Sequence, residues 1–312
     1  MKILLLGAAG FIGTNLAIEL AKDKKNEILL IDRNKLFFTN KELLNSSNIS
    51  IKESSLEVDI NFDELLYGQD VVYHLVSTTV PSTSNQHISR EIMTNVIFSS
   101  NLFDACVRCK VKKVIFLSSG GTVYGIEEKC PLKETSLTNP ISSYGVQKLT
   151  IEKLLYLYRY IHGLDYRIIR LANPYGPYQR PNGVLGAIST FTYKTLKKEQ
   201  IIVYGDGSVV RDYIYIDDAI YAIMKISNGD AEDRTFNIGS GYGVSIRQVL
   251  QTIKDVLSVD MDVIYIPGRD VDVPTNYLDI SRFQKNYGLL ELVSLEEGII
   301  RTAKFMKKQY SI

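Results

Sequence analysis

Short apolar runs alternate with helix-like stretches through the first 120 residues of the chain. The runs KILLLG, EILLID, ISIKES, DVVYHLV and KVIFLSS have the residue types of strands, whereas IGTNLAIELAKD and a polar stretch around residues 88–109 have the spacing and length of helices. This alternation is typical of parallel strands that are joined by right-handed crossovers. It predicts an α/β fold with a doubly wound parallel sheet.

The alternation is lost in the C-terminal part of the chain. A long helix is predicted for TIEKLLYLYRYIHG, ending at Gly163, and a strand for DYRIIRLAN. Loop-rich stretches such as NPYGPYQRPNG and YIPGRDVDVPTNY then interleave with two or three helices. We therefore expect a first domain at residues 1–172 and about 212–240, and a smaller, interleaved C-terminal α/β domain at residues 173–211 and 241–312.

The composition excludes several classes of function. The chain has 36 basic and 35 acidic residues and a formal net charge of +1, so no basic field is available to hold a nucleic acid or an anionic membrane. Cys106 and Cys109 form a CxxC, but they lie in the helix-like stretch NLFDACVRCK, and the three histidines are scattered. We expect neither a redox site nor a metal site, and a reduced cytoplasmic compartment fits best.

The segment GAAGFIG places Gly7, Gly10 and Gly13 between the first predicted strand and the first predicted helix. In a dinucleotide-binding loop, these glycines permit a tight turn, close approach of the pyrophosphate to the backbone, and close packing of the helix on the strand. The second strand ends at Asp32, where a carboxylate can accept the ribose hydroxyls. These features predict a Rossmann-type domain that binds NAD, while Arg33 leaves NADP open.

Three tyrosines are followed by a lysine at the i, i+4 spacing, which places both side chains on one helix face. The pairs are Tyr144/Lys148, Tyr193/Lys197 and Tyr221/Lys225. Only Tyr144 follows a strand-to-loop transition, FLSSGGT, at the carboxyl edge of the predicted sheet, where ligands of open α/β sheets bind. We predict that Tyr144 transfers a proton and that Lys148 lowers the pKa of its phenol. The other two pairs are interpreted as packing tyrosines with solvated lysines.

Five motifs occur in one order along the chain: GAAGFIG, FLSSGGTVYG, SSYGVQK, RLANPYGPYQRP and GDGSVVRDYIYIDDA. Together they resemble the extended short-chain dehydrogenase/reductases, and among these most closely the nucleotide-sugar epimerases and dehydratases. The resemblance implies that Tyr144 takes the proton of a sugar hydroxyl and that Lys148 also hydrogen-bonds the nicotinamide ribose. It further implies cofactor contacts at Phe11, Ile12 and Asn95.

The loop after the fifth strand departs from the usual pattern of these families. Their members usually carry a Ser or Thr at the position of Gly120, so Ser119, Thr122 or a water must supply the hydrogen bond to the reacting oxygen, with Thr122 favoured. The loop also lacks the Asp-Glu pair of the dehydratases and the glutamate of the decarboxylating relatives. The resemblance therefore implies epimerisation at C4 of a UDP-hexose through a 4-keto intermediate.

The resemblance also implies a set of contacts to the nucleotide sugar. Asn173, Arg211 and Arg269 would contact the diphosphate. Tyr204 would contact the uracil, and Asp272 would contact the uridine ribose. Relatives restricted to non-acetylated hexoses tend to have a Tyr at the position of Asn276, so the smaller side chain indicates room for an N-acetyl group.

Three other interpretations stay open. They are a nucleotide-sugar 4-ketoreductase that consumes NADPH, a 4,6-dehydratase, and a catalytically inactive NAD-sensing protein. The resemblance finally implies a homodimer that forms through the helices near residues 90–109 and 142–162.

Overall fold

The computed structural model describes residues 1–38, 40–56, 60–79, 84–126, 129–181, 186–268 and 273–312. In the first half of the chain the elements are β1 (Lys2–Leu6), α1 (Phe11–Ala21), β2 (Glu27–Asp32), α2 (Lys41–Leu44), β3 (Ile49–Glu53), α3 (Phe62–Leu66), β4 (Val71–His74), α4 (Ile88–Glu91), α5 (Phe98–Arg108), β5 (Lys113–Ser119) and α6 (Ser143–His162). In the second half they are β6 (Asp165–Leu171), β7 (Asn173–Tyr175), α7 (Ala187–Lys197), β8 (Ile201–Tyr204), β9 (Val210–Arg211), β10 (Tyr213–Tyr215), α8 (Ile216–Asn228), β11 (Thr235–Ile238), β12 (Val244–Ser245), α9 (Ile246–Leu257), β13 (Val263–Ile266), β14 (Thr275–Asn276), α10 (Ser281–Tyr287) and α11 (Leu295–Tyr310).

Seven strands of the described chain form one sheet in the order β3-β2-β1-β4-β5-β6-β11. The pairs β2/β3, β1/β2, β1/β4 and β4/β5 run parallel. The chain moves outward in one direction from β1 to β3 and in the other from β4 onward, so the topological switch point lies between β1 and β4. This arrangement confirms the predicted α/β fold of Rossmann type.

The central strands β1, β4 and β5 are buried, because helices cover the faces of a parallel sheet. Along β1, Ile3, Leu4, Leu5 and Leu6 are all buried, as expected for a strand that is packed on both faces. The main cluster joins strand residues to residues of the helices, and its members include Leu4, Val72, Phe116, Phe98, Leu102, Leu155 and Ile168. This core includes residues of β1 and β5, the strands that lead into the glycine loop and the loop with Gly120.

The helix predicted around residues 88–109 is present but is not uniform. A π-helical turn, Ile92–Ile97, joins α4 to α5. Such turns are rare, and they occur frequently at functional sites. The long helix α6 agrees more closely with its prediction, because it ends at Gly163, which has a φ of +72°.

The contacts divide the chain into two compact units. The first comprises residues 1–118, 142–169 and 226–235, and the second comprises residues 119–141, 170–225 and 236–312. The segment that follows β5, residues 119–141, thus belongs to the second unit. The functional ranges expected from the sequence, with NAD bound by one domain and the nucleotide sugar by the other, stay a prediction.

None of the helices in the described ranges is long and apolar enough to cross a bilayer.

Candidate active site

The loop between β1 and α1 has the shape that a dinucleotide requires. Gly7 has a φ of +81°, a left-handed conformation that favours glycine. A Cβ atom on Gly13 would lie 2.6 Å from the Gly7 carbonyl oxygen, so only glycine lets α1 approach the loop this closely. A Cβ atom on Gly10 would meet, within 4 Å among the described residues, only the Gly7 carbonyl at 3.3 Å. The outer side of the loop therefore has room for a pyrophosphate at the N-terminus of α1.

Asp32 lies beside this loop at the end of β2. Its Oδ2 accepts a hydrogen bond of 2.9 Å from the backbone N–H of Ala9, and its Oδ1 accepts one of 2.8 Å from the backbone N–H of Arg33. The carboxylate is thus fixed next to the loop, where it can receive ribose hydroxyls. The expected contact residues Phe11 and Ile12 are the first two of α1, and both are half-buried. The loop and Asp32 fit an NAD adenosine and pyrophosphate.

Asn95 lies in the π-helical turn and is buried. Its Oδ1 accepts a hydrogen bond of 2.9 Å from the backbone N–H of Thr78, in the segment that follows β4, and its Nδ2 donates to Gln147 of α6 at 2.7 Å. Gln147 in turn donates to Glu91 at 3.0 Å. Asn95 therefore ties the segment after β4 to α6, while its predicted contact with the cofactor stays a prediction.

The N-terminus of α6 is held by side chains that satisfy its free backbone N–H groups. Ser142 caps the helix by accepting a hydrogen bond from the backbone N–H of Gly145. The backbone N–H of Ser143 donates to Asn85, and that of Tyr144 donates to Ser84. These contacts fix the first turn of α6 and hence the position of Tyr144.

Lys148 is buried directly behind Tyr144, with 5% of its surface exposed. Its Nζ donates a hydrogen bond of 2.8 Å to the carbonyl of Leu117 and lies 4.8 Å from the ring centroid of Phe116. The same Nζ lies 5.6 Å from the ring centroid of Tyr144. The pair predicted from spacing is therefore a real contact, and β5 anchors its lysine.

The pKa of Tyr144 differs from the expectation. Burial raises the pKa of this phenol to about 12, whereas the sequence led us to expect a lower value caused by Lys148. Lys148 lies over the face of the ring. In the protein without cofactor or substrate, the loss of solvation of the phenolate raises the pKa of Tyr144 more than the lysine charge lowers it. Burial also lowers the pKa of Lys148, to about 8, and the Glu152 carboxylate opposes this change.

The other two Tyr/Lys pairs have different surroundings. Tyr193 on α7 packs edge-on against Tyr310 with ring centroids 5.2 Å apart, and Lys197 is exposed. Tyr221 and Lys225 on α8 are both exposed.

The loop after β5 shows why glycine occupies position 120. A Cβ atom on Gly120 would lie 2.5 Å from Leu278 Cδ1 and 3.1 Å from the carbonyl oxygen of Arg170, so buried Leu278 occupies the space of a serine or threonine side chain. Ser119 ends β5 half-buried, and its carbonyl accepts the N–H groups of the turn that follows. The Oγ1 of Thr122 is buried and has no hydrogen-bond partner among the described residues.

Four of the expected nucleotide-sugar residues can be placed in the second unit. Asn173 Nδ2 donates to the carbonyl of Asp212 at 2.8 Å, the Arg211 guanidinium donates to the carbonyls of Val210 and Val273, and Tyr204 is partly exposed on β8. The other two, Arg269 and Asp272, lie outside the described residues.

Asn276 is the most buried of the four residues that the structure describes, with 1% of its surface exposed. Its Nδ2 donates a hydrogen bond of 3.2 Å to the carbonyl of Gly120. Within the described residues its Oδ1 has no partner. Thr122 and Asn276 thus each offer a buried oxygen to a further group.

Cys106, Cys109 and Cys130 are free thiols, and burial raises the pKa of Cys106. Across the ranges that the structure describes, no cluster of His, Cys, Asp and Glu side chains could hold a metal ion.

The sequence analysis did not identify Glu152 and Ser118, two residues that lie next to the Tyr144/Lys148 pair. Glu152 lies one helical turn after Lys148, and its carboxylate accepts a hydrogen bond from the Ser118 hydroxyl. The i, i+4 spacing from Lys148 to Glu152 was visible in the sequence as a potential ion pair. The contact between Glu152 and Ser118 was not, because it depends on how α6 packs on β5.

Comparison with known proteins gives matches over nearly the whole chain. The model of the "NAD dependent epimerase/dehydratase family" matches residues 3–239. The UDP-glucose 4-epimerase of Mycolicibacterium smegmatis is 31% identical over 314 residues, which cover 99% of each chain. The solved UDP-glucose 4-epimerase of Thermotoga maritima, with UDP-glucose, is 33% identical and superposes with a TM-score of 0.92 over 99% of this chain and 100% of that chain.

A second solved structure has a related substrate class. The UDP-N-acetylglucosamine 4-epimerase of Methanobrevibacter ruminantium, in complex with UDP-N-acetylmuramic acid, is 31% identical with a TM-score of 0.90, over 99% of this chain and 98% of that chain. The matches confirm the resemblance carried by the five sequence motifs, and the family description confirms NAD as the cofactor expected from the glycine loop and Asp32. The chain belongs to the NAD-dependent epimerase/dehydratase family of nucleotide-sugar enzymes.

Proposed function

We propose that the protein catalyses epimerisation at C4 of a UDP-hexose through a 4-keto intermediate. The observation that carries this proposal is the anchored Tyr144/Lys148 pair on α6, which belongs to the same compact unit as the glycine loop and Asp32. The similarity to solved 4-epimerases over 99% of the chain supports it.

Tyr144 acts as the acid and base of the proposed reaction. The glycine loop and Asp32 would hold NAD, which would supply the hydride acceptor and donor for the sugar C4. Tyr144 accepts the proton of the C4 hydroxyl in the first step and gives it back in the second. Because burial raises the pKa of this phenol to about 12, deprotonation needs positive charge nearby, and the Lys148 ammonium supplies it from the same helix face.

The loop after β5 favours epimerisation over dehydration. A 4,6-dehydration requires acidic residues that move a proton and expel water, whereas this loop carries Gly121 and Thr122. Epimerisation requires one base, the dinucleotide, and room for the keto sugar to turn. We assign to Thr122, with Ser119 as the alternative, the hydrogen bond to the reacting oxygen, because the buried Thr122 hydroxyl has no partner in the described chain.

The second unit is proposed to hold the nucleotide half of the substrate. Asn173 and Arg211 would contact the diphosphate and Tyr204 the uracil, with Arg269 and Asp272 added by family resemblance. Asn276 offers its buried Oδ1 to the sugar, and its small side chain leaves room for an N-acetyl group.

The activity is tested by incubating the purified protein with UDP-glucose, UDP-galactose and their N-acetylated forms. Products are followed by NMR, with Tyr144→Phe as the inactive control. Interconversion without net change in absorbance at 340 nm supports a 4-epimerase. Stoichiometric consumption of NADPH with a 4-keto sugar, and no epimerisation, would instead identify the 4-ketoreductase.

We further propose that the protein forms a homodimer through α6 and the π-helical turn. Both elements expose apolar side chains, which a second copy could cover. These are Ile92, Met93 and Ile97 in the turn, and Tyr156, Leu157, Tyr160 and Ile161 on α6. Light scattering coupled to size exclusion should give twice the mass of the chain, and a monomer would contradict the proposal.

A further inference from the structure

A buried carboxylate lies one helical turn beyond Lys148. Glu152 is 4% exposed, and its Oε1 accepts a hydrogen bond of 2.5 Å from the Ser118 hydroxyl. The residue before Ser118 is Leu117, whose carbonyl accepts the hydrogen bond from Lys148 Nζ. Two consecutive residues of β5 are therefore tied to two residues of α6 that share one helix face.

The two buried charges make each other's burial less costly. An ionised side chain that leaves water is destabilised unless hydrogen bonds or an opposite charge compensate. Glu152 has the Ser118 hydroxyl, and Lys148 has the Leu117 carbonyl. Burial lowers the pKa of Lys148 to about 8, and the Glu152 carboxylate acts against this change by favouring the ammonium.

The other titratable groups around Lys148 cannot replace Glu152. His74, at the end of β4, has a pKa that burial and the Lys148 charge lower to about 3, so it is neutral at pH 7. Tyr144, whose pKa burial raises to about 12, is neutral as well. Among the described residues, Glu152 is thus the group whose charge favours the ammonium form of Lys148.

We propose that Glu152 is a positioning residue for the Tyr144/Lys148 pair: its carboxylate, held by the Ser118 hydroxyl, keeps Lys148 protonated and seated against the end of β5. The benefit of this arrangement to catalysis rests on the proposed function, because it is Tyr144 that uses the ammonium. The interaction between Glu152 and Lys148 does not, and it can be measured without any sugar or dinucleotide.

The test is a double-mutant cycle of Glu152→Gln and Lys148→Met, measured by urea unfolding between pH 7 and pH 10. The folded-state pKa of Lys148, about 8, lies below its ordinary 10.5, so the protonated lysine destabilises the fold at pH 7 and this cost fades as the pH rises from 8 toward 10.5. Because Glu152 offsets that cost, Glu152→Gln should lower the folding equilibrium constant at pH 7 about tenfold more with Lys148 present than in the Lys148→Met background. The difference should vanish near pH 10.

Glu91→Gln is the matched control, since Glu91 is also a buried carboxylate but is hydrogen-bonded to Ser143 and Gln147 of α6. It should lower stability equally in both backgrounds. An equal loss for Glu152→Gln in both backgrounds at every pH would overturn the proposal.

Should Glu152→Gln fail to fold, Ser118→Ala serves as the second variant because it removes only the hydroxyl that holds Glu152. We expect a smaller loss of the same sign that depends on Lys148 and fades with rising pH. A loss that is independent of pH and of Lys148 would refute the role. Neither result depends on whether the protein is an epimerase.

Discussion

Two Tyr/Lys pairs of the same spacing, one on α6 and one on α8, are nearly identical in local geometry. The lysine Nζ lies 5.6 Å from the ring centroid in Tyr144/Lys148 and 5.3 Å in Tyr221/Lys225. Their surroundings differ: Lys148 is 5% exposed and bonded to β5, whereas Tyr221 is 47% exposed. The helix supplies the contact in both places. In the pair on α6, burial also raises the pKa of the tyrosine and lowers that of the lysine.

The largest effect that would distinguish the pairs is the loss of the phenol itself. Tyr144→Phe should lower kcat by about a thousandfold, because the proposed proton transfer has no other group at that position. Tyr221→Phe, its matched control, should change kcat less than about twofold. Both rates are measured by NMR with the best UDP-hexose. Comparable losses in both variants would remove the functional difference between the two helices.

Removal of the lysine charge should have the next largest effect. Lys148→Met should lower kcat about a hundredfold, because an opposite charge within about 4–6 Å shifts the pKa of a neighbouring acid by one to three units. Lys225→Met should leave kcat unchanged, since its pair is exposed and lies on a different helix. Steady-state rates at pH 7 decide the point, and wild-type turnover by Lys148→Met would show that the ammonium is dispensable.

The pH dependence of the rate sharpens the same comparison. The reactive form combines a Tyr144 phenolate with a Lys148 ammonium. Because burial raises the pKa of Tyr144 to about 12 and lowers that of Lys148 to about 8, the rate should rise about tenfold per pH unit below 8 and level off above it, where loss of the ammonium offsets gain of the phenolate. In Lys148→Arg the rate should keep rising above pH 8, because arginine stays protonated. Lys225→Arg should leave the profile as it is in the unmodified chain. A plateau that begins at the same pH in Lys148→Arg would assign it to another group.

The parts of the site that depend on local backbone could be predicted from the sequence. The glycine loop, Asp32 at the end of a strand and Gly163 at the end of a helix each follow from a few neighbouring residues, and the parallel sheet follows from the alternation of strands with helices. The choice of Tyr144 among three pairs rested only on its place after β5, and its catalytic role stays a prediction.

The parts that depend on packing could not be predicted. Gly120 lacks a side chain because Leu278, from far along the chain, occupies that space. The pKa of Tyr144 moved in the direction opposite to our expectation because burial, which a single sequence does not give, outweighs the lysine charge. The π-helical turn that carries Asn95 left no signal in the periodicity that predicted one continuous helix.

The smallest expected effect concerns the exposed pair alone. A cation over an aromatic ring at an exposed site contributes about 0.5–1 kcal/mol, because water competes for the ammonium and screens its charge. A double-mutant cycle of Tyr221→Leu and Lys225→Met, measured by urea unfolding, should therefore give a coupling no larger than this. The corresponding cycle on α6 should depend on pH between 6 and 9, because Lys148 has a pKa lowered to about 8. If both cycles gave the same small, pH-independent coupling, contact geometry alone would set the properties of these pairs, and burial would have to be abandoned as the cause of their difference.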